Sequence, residues 1–339
     1  MNANLSKSFL SQAREETSKQ SRIAPQAPVT VTKIEEEADG VLSISMVPDI
    51  GYSVPEWQPG AHIDLVINEQ AGLVRQYSLC GDVTRQQELK IAVLREPDGR
   101  GGSEQIHTKL RVGDRLLIAG PRNNFPLVEA EQYRMIAGGI GITPILPMLR
   151  ELERTRKQWS LIYGGRKRES MAFLDELAGY GNKVAVYPEN QSGILDLEAY
   201  IGTPQRGTVV YVCGPEALIS AVETLCQGWP EGALNLERFK PTDYTKAQDS
   251  DEEFEVVLQQ SGVTITVTKE ESIADAVEKA GFYIPRSCDE GTCGTCLTNV
   301  LEGVPDHRDS FLRGNQRTEN KVMTVCCSRA RTKRLVLDA

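Results

Sequence analysis

The sequence predicts a multidomain chain: an antiparallel β-barrel, then an α/β domain on a parallel sheet, then a smaller domain built around a cysteine loop. Three observations predict it. Period-two apolar alternation punctuated by Gly and Pro fills the first third, and strand–helix alternation with unbroken apolar strands fills the middle. Five of the eight cysteines lie at or beyond Cys288. At 339 residues the chain exceeds one ordinary core and suits two or three domains. The expected division is a flexible tail over 1–28, the barrel over 29–130, the α/β domain over 131–240, a linker over 241–252 and the cysteine domain over 253–339.

The tail is rich in Ser, Lys, Gln and Glu and ends in Ile23-Ala24-Pro25-Gln26-Ala27-Pro28. It lacks the apolar stretch of about 7–15 residues that a secretory signal needs, so a cytoplasmic protein is expected. A mobile tail is favoured over the end of a linker from a fused upstream domain. No run approaches the roughly 20 apolar residues of a membrane span, and no membrane partner is expected. The net charge of −9, from 38 Lys+Arg against 47 Asp+Glu, argues against nucleic acid as the main partner. His62, His107 and His307 are far apart in sequence, so a two-histidine iron site, and with it oxygen activation in this chain, is not expected.

In the barrel segment, Leu42, Ile44 and Met46 share one strand face, as do Ile63, Leu65 and Ile67, and Leu89, Ile91 and Val93. The texture changes near Tyr133. Arg134–Ala137 runs as an apolar strand into Gly138-Gly139, followed by a helix with Ile145, Met148, Leu149 and Leu152 on one side and Pro144 inside its start. Further strands are expected at Trp159–Tyr163, Val184–Tyr187 and Val209–Cys213, and helices at Glu169–Ala178 and Glu216–Cys226. That alternation means a parallel sheet covered on both faces. After a polar linker come strands Phe254–Gln259 and Val263–Thr268, joined as a hairpin at Ser261-Gly262. A helix capped by Ser272 with Asp275 and ended by Gly281 follows, and Leu335-Val336-Leu337 closes the chain.

Cys288-x4-Cys293-x2-Cys296, with Cys326 thirty positions on, has the plant-type spacing of a [2Fe–2S] centre. A tight loop wraps one side of such a cluster with three thiolates and a distant strand supplies the fourth. Gly291 and Gly294 let the backbone curl close. Structural zinc usually uses paired knuckles, and only one pair here fits. Cys327 adjoins Cys326, and the spacing favours Cys326. Cys80 and Cys226 read as buried small apolar residues.

Gly138-Gly139-Ile140-Gly141-Ile142-Thr143-Pro144 lies between a strand and a helix, where glycines let amides approach a pyrophosphate. It is not the G-x-G-x-x-G fingerprint, because Thr143 holds the last position. Val212-Cys213-Gly214-Pro215-Glu216 repeats the placement, so the two loops put a ligand at the strands' carboxyl ends. In the barrel, Arg75, Tyr77 and Leu79 share a face with Gln76 and Ser78 opposite. Arg100-Gly101-Gly102-Ser103 reads as a helix-start anion site with Ser103 as its cap.

These motifs recur in one order, together with Gly120–Phe125, Asp306–Asp309 and Cys326–Ala330. The chain resembles the phthalate dioxygenase reductase family from about residue 29 to its end. A similar module forms the reductase end of self-sufficient haem-thiolate monooxygenases. The resemblance implies an FMN-binding barrel, an NAD(P)-binding α/β domain and a β-grasp ferredoxin domain. It implies that Tyr77 and Leu79 line the flavin, that Ser78 reaches its reactive edge, and that Arg75, Arg100, Gly101, Gly102 and Ser103 hold its phosphate. Gly139, Gly141, Thr143, Cys213, Gly214 and Pro215 would meet the nicotinamide coenzyme, with Ser78, Thr143 and Cys213 nearest the chemistry. Cys288, Cys293, Cys296 and Cys326 would bind the cluster.

The implied activity is that of an NAD(P)H-dependent reductase, monomeric, passing electrons through FMN and the cluster to a terminal oxygenase of Rieske or haem-thiolate type. NADH is the usual family donor. Arg166-Lys167-Arg168 follows the second parallel strand, where a base accommodates a 2′-phosphate and a solvated charge run is an equal reading. The family often has an aromatic residue before a glutamate near the end of the second domain, and Leu236-Glu237 stands here. An iron–sulfur redox sensor without turnover is the alternative, but it needs no nucleotide loops. A flavoenzyme acting directly on an organic substrate would need a placed acid or base.

Overall fold

The computed structural model describes residues 26–70, 72–241 and 251–339. The expected tail lies outside them except for its last three residues, which already belong to the first strand, and most of the linker lies outside them too. Residues 27–240 form one compact unit, and residues from 241 onward belong to a second.

In the first unit, β1 (Gln26–Ala38), β2 (Val41–Pro48), β3 (Ala61–Asn68), β4 (Leu73–Ser78), β5 (Leu89–Leu94) and β6 (Arg115–Asn123) form one sheet in the order β4-β3-β6-β1-β2-β5. The sheet curls until its edge strands meet at a single antiparallel bridge, Leu79 to Ile91. Period two decides what faces inward. Ile44, Met46, Ile63, Leu65, Leu89, Ile91 and Val93 fill one apolar core, as their alternation predicts. Helix α1 (Gly102–Lys109) crosses beside β3, β4 and β5.

The same unit continues with β7 (Gln132–Gly138), α2 (Ile142–Arg154), β8 (Gln158–Gly165), α3 (Leu174–Ala178), β9 (Val184–Pro188), α4 (Glu189–Ser192), α5 (Leu197–Ile201), β10 (Thr208–Cys213), α6 (Glu216–Leu225) and β11 (Leu234–Glu237). The sheet is parallel throughout, in the order β11-β10-β7-β8-β9. The chain builds outward from β7 through β8 to β9, then returns to β7's other side. The direction of winding therefore reverses between β7 and β10, which is where such sheets bind ligands. One apolar core joins this sheet to the barrel through Cys80, Phe125, Met148 and Tyr211. Arg150 reinforces the junction by donating to the Cys80 and Gly81 carbonyls at 2.7 Å each.

The helix expected over Glu169–Ala178 is broken. A short turn at Arg168–Ser170 precedes an extended Met171, and Phe173 takes a left-handed φ of 64° before α3 begins. Met171, Ala172 and Phe173 are all buried, so core packing overrides helical propensity there.

In the second unit, β12 (Phe254–Leu258) and β13 (Val263–Val267) form the expected hairpin. Helix α7 (Ile273–Lys279), β14 (Leu297–Glu302), β15 (Pro305–Asp306), α8 (Gly314–Glu319), β16 (Val322–Thr324), β17 (Arg329–Ala330) and β18 (Arg334–Leu337) follow. The main sheet runs β13-β12-β18-β14-β16, with β12 and β18 parallel. Ile273, Ala274, Ala276 and Val277 of α7 pack onto it. Ser272 and Asp275 make a reciprocal capping box at the start of α7.

Candidate functional site

Strand β4 carries the first group of expected site residues. Arg75 donates to the carbonyls of Val74 at 2.7 Å and Arg100 at 3.2 Å, tying β4 to the turn before α1. Gly101 has φ 81°, and a Cβ on Gly102 would come 2.9 Å from Arg75 Cγ. The missing side chain at Gly102 lets the Arg75 stem lie over the start of α1, while Gly101 supplies the left-handed turn before it. Gly101, not Ser103, is the residue that precedes the helix. The left-handed turn at Gly101 leaves Ser103 one position inside, where its hydroxyl accepts from the Glu96 N–H at 3.0 Å. Arg100 is exposed.

Tyr77 is half-buried, and burial pushes its phenol above the ordinary value of 10, so it is neutral at physiological pH. Leu79 points into the barrel core and is fully buried. Ser78 is buried on the opposite face, and its hydroxyl has no hydrogen-bond partner. An orphaned buried hydroxyl is rare enough in native proteins to call for a group that pairs with it.

The second group meets where the parallel sheet reverses. Gly139 has φ 54°, and a Cβ on Gly141 would lie 2.3 Å from the Cys213 carbonyl oxygen. The Gly138–Thr143 loop and the Cys213-Gly214-Pro215 loop are therefore in backbone contact, with Pro215 exposed at the start of α6. Thr143 is buried and donates to the Ile140 carbonyl at 2.9 Å, shaping its own loop. Cys213 is fully buried in the core shared with the barrel. Tyr163 braces the loop from β8, donating to Gly139 O at 3.1 Å.

Leu236 is buried on the sheet's other side, while Glu237 stands opposite Cys213 in the register of β11 with β10. Phe239 follows, 41% exposed, an aromatic the sequence reading passed over because it lies beyond the strand. Arg166, Lys167 and Arg168 are all exposed in the turn after β8.

The thiols form the third group. Cys288 lies in contact with Cys293 and Cys326, and Cys326 with Cys296 and Cys327. They make a row, Cys293–Cys288–Cys326–Cys296, with Cys327 as a branch. Thiol hydrogen bonds from Cys293 and Cys326 hold Cys288 well below the ordinary thiol value, while the same coupling pushes Cys293 and Cys326 up. Among the described residues no three ligating side chains close around one metal-ion position. Four thiols linked in sequence, with no three closing on one point, suit a two-iron cluster better than a single tetrahedral ion.

The loop is shaped to match. Gly291 has φ 68°, and a Cβ there would lie 2.4 Å from Cys327 Sγ. The amides of Glu290 and Thr295 point at the sulfurs of Cys288 and Cys293, at 3.4 Å each. Arg286 pins the loop to α7 through Asp275 at 2.6 Å and Glu278 at 2.5 Å. Sequence reading missed this brace, since a single arginine before a cysteine carries no pattern.

The orphan hydroxyl of Ser78, the glycine seat under Arg75 and the thiol row all fit the groups the resemblance implies. Residues 256–331 match the 2Fe-2S iron-sulfur cluster binding domain, and residues 135–224 match the oxidoreductase NAD-binding domain. The chain is 38% identical to phenoxybenzoate dioxygenase subunit beta of Ectopseudomonas oleovorans, covering 94% of this chain and 99% of that one. It is 36% identical to the phthalate 4,5-dioxygenase oxygenase reductase subunit of Pseudomonas putida, covering 89% and 94%.

Among solved structures, phthalate dioxygenase reductase superposes with a TM-score of 0.67 at 32% identity, over 93% of this chain and 98% of that one. An intact type IV self-sufficient cytochrome P450 monooxygenase superposes at 0.84 with 39% identity, over 93% of this chain but 41% of the longer enzyme. With this identity sustained over nearly the whole length, the chain belongs to the phthalate dioxygenase reductase family, whose members pass electrons from NAD(P)H through flavin and a [2Fe–2S] centre to oxygenases.

Proposed function

We propose that residues 29–130 hold FMN, that residues 131–240 hold NAD(P)H, and that Cys288, Cys293, Cys296 and Cys326 of residues 253–339 hold the cluster that passes electrons to a terminal oxygenase. When bound, FMN takes an electron pair from a hydride donor and gives it up singly, the conversion a one-electron metal centre requires. Arg75, Arg100 and the Gly101-Gly102-Ser103 turn at the start of α1 supply charge and N–H groups for its phosphate. The neutral ring of Tyr77 offers a packing surface, and the Ser78 hydroxyl offers a hydrogen bond to the ring edge.

Gly139, Gly141, Thr143, Cys213, Gly214 and Pro215 form the crevice that orients the nicotinamide coenzyme. Arg166, Lys167 and Arg168 make NADPH acceptable beside NADH. The thiol row carries the reading, because a two-electron donor and a one-electron centre in one chain call for a converter between them. The partner is an oxygenase of Rieske or haem-thiolate type, and the protein works as a cytoplasmic monomer. No helix among the described residues is long and apolar enough to cross a membrane.

Anaerobic titration of the purified, reconstituted protein with NADH tests this. Flavin and cluster bands should both bleach, and cytochrome c should then be reduced steadily. A protein with zinc in the thiol loop, or without a yellow cofactor, overturns it.

A further inference from the structure

The barrel carries a polar patch of which the expected site residues include only Ser78. His62 on β3 stands opposite Ser78 on β4 and opposite Arg122 on β6, so these three side chains form one row across three strands. Two residues along β3, Asp64 lies on the same face and is fully buried. Its Oδ1 accepts from Arg122 Nη2 at 2.6 Å and from Gln76 Nε2 at 3.0 Å.

These bonds leave a specific set unpaired. Arg122 Nε and Nη1, Asp64 Oδ2 and Ser78 Oγ are all buried without a hydrogen-bond partner. An ion pair that is taken out of water and left half-satisfied is costly, so this set calls for a polar group to complete it. What completes it must accept from a guanidinium and a hydroxyl and donate to a carboxylate. The pyrimidine end of an isoalloxazine has that pattern, with carbonyl oxygens that accept on either side of a ring N–H that donates.

We propose that Arg122 and Asp64 are flavin-binding residues, seating the carbonyl and N–H edge of FMN beside Ser78. This rests on the FMN reading above and deepens it. Asp64 orients the guanidinium by one arm and leaves the other nitrogens to the ligand. A fixed positive charge at that edge favours the electron-rich, reduced ring and so raises its reduction potential.

The test uses the full-length protein, stripped of flavin and titrated with FMN by fluorescence quenching. Spectroelectrochemistry then measures the flavin potential, and the thermal midpoint of the flavin-free form is recorded alongside. Arg122→Gln should weaken FMN binding by about tenfold to a hundredfold, the loss of a charge-assisted bond, and should lower the potential. Arg122→Lys should restore the potential in part but not the affinity, because it keeps the charge and loses the fork. Asp64→Asn should weaken binding as well. Thermal midpoints that fall while FMN affinity and potential stay at wild-type values would show a purely structural ion pair and overturn the proposal. Wild-type protein that fails to bind FMN would instead overturn the reading it rests on.

Discussion

Ser78 carries the sharpest residue-scale expectation. Its hydroxyl is buried and unpaired, so removing it costs the folded protein no existing hydrogen bond. Ser78→Ala should therefore keep the thermal midpoint of the flavin-free protein while slowing flavin reduction by NADH about tenfold or more, the worth of one hydrogen bond to a charge-bearing group. Anaerobic stopped-flow absorbance measures that rate, and an unchanged rate would remove Ser78 from the chemistry. His307 makes a separate prediction about pH. Burial lowers its imidazole below the ordinary 6.5, so the folded protein keeps it neutral where the unfolded chain already binds a proton. Stability from this site is complete above pH 6.5 and declines as pH falls through 6.5 toward the folded value. Thermal melts should show His307→Gln flattening that decline. The motif residues were legible in the sequence because glycines, cysteines and an Arg-x-Tyr-Ser strand carry local pattern. Arg122 stood in the Gly120–Phe125 motif without a role and Asp64 did not stand out at all, since a charge on the outward face of a strand reads as solvated until its partners across the sheet are known.

At the scale of elements, legibility followed how local the cause was. The capping box of Ser272 and Asp275 formed as predicted because three residues of sequence contain all its atoms. The helix expected over Glu169–Ala178 did not form, because Met171, Ala172 and Phe173 are claimed by a core that the local sequence does not show. The thiol loop lies between these cases, since its spacing is local while its fit against Cys327 and Asp309 is tertiary. Gly291→Ala tests that fit. The added methyl meets two obstacles at once, a φ of 68° and a sulfur at 2.4 Å. The left-handed conformation alone costs roughly 1–2 kcal/mol. Iron and acid-labile sulfide should drop well below two per chain while flavin content stays full. Normal iron content would mean that the loop tolerates a side chain its geometry excludes.

At the scale of the molecule, the barrel and the parallel sheet share one apolar core, whereas the thiol domain has its own around β12, β18 and α7. Separate cores mean that damage to the thiol row need not reach the flavin or the coenzyme crevice. The two electron-handling steps should therefore come apart by mutation. Cys293→Ser removes one end of the row, and a chain ending at Lys240 removes the second unit altogether. Both should remain yellow and should reduce ferricyanide, which takes electrons from flavin directly, at the wild-type rate with NADH. Both should lose cytochrome c reduction by about tenfold or more, since single-electron delivery to a protein acceptor then lacks its metal carrier. The truncated chain guards against misfolding of the substituted domain as an explanation. If either form delivered electrons to cytochrome c as fast as the intact protein, the thiol row would lie off the route, and the order of carriers drawn from it would be wrong.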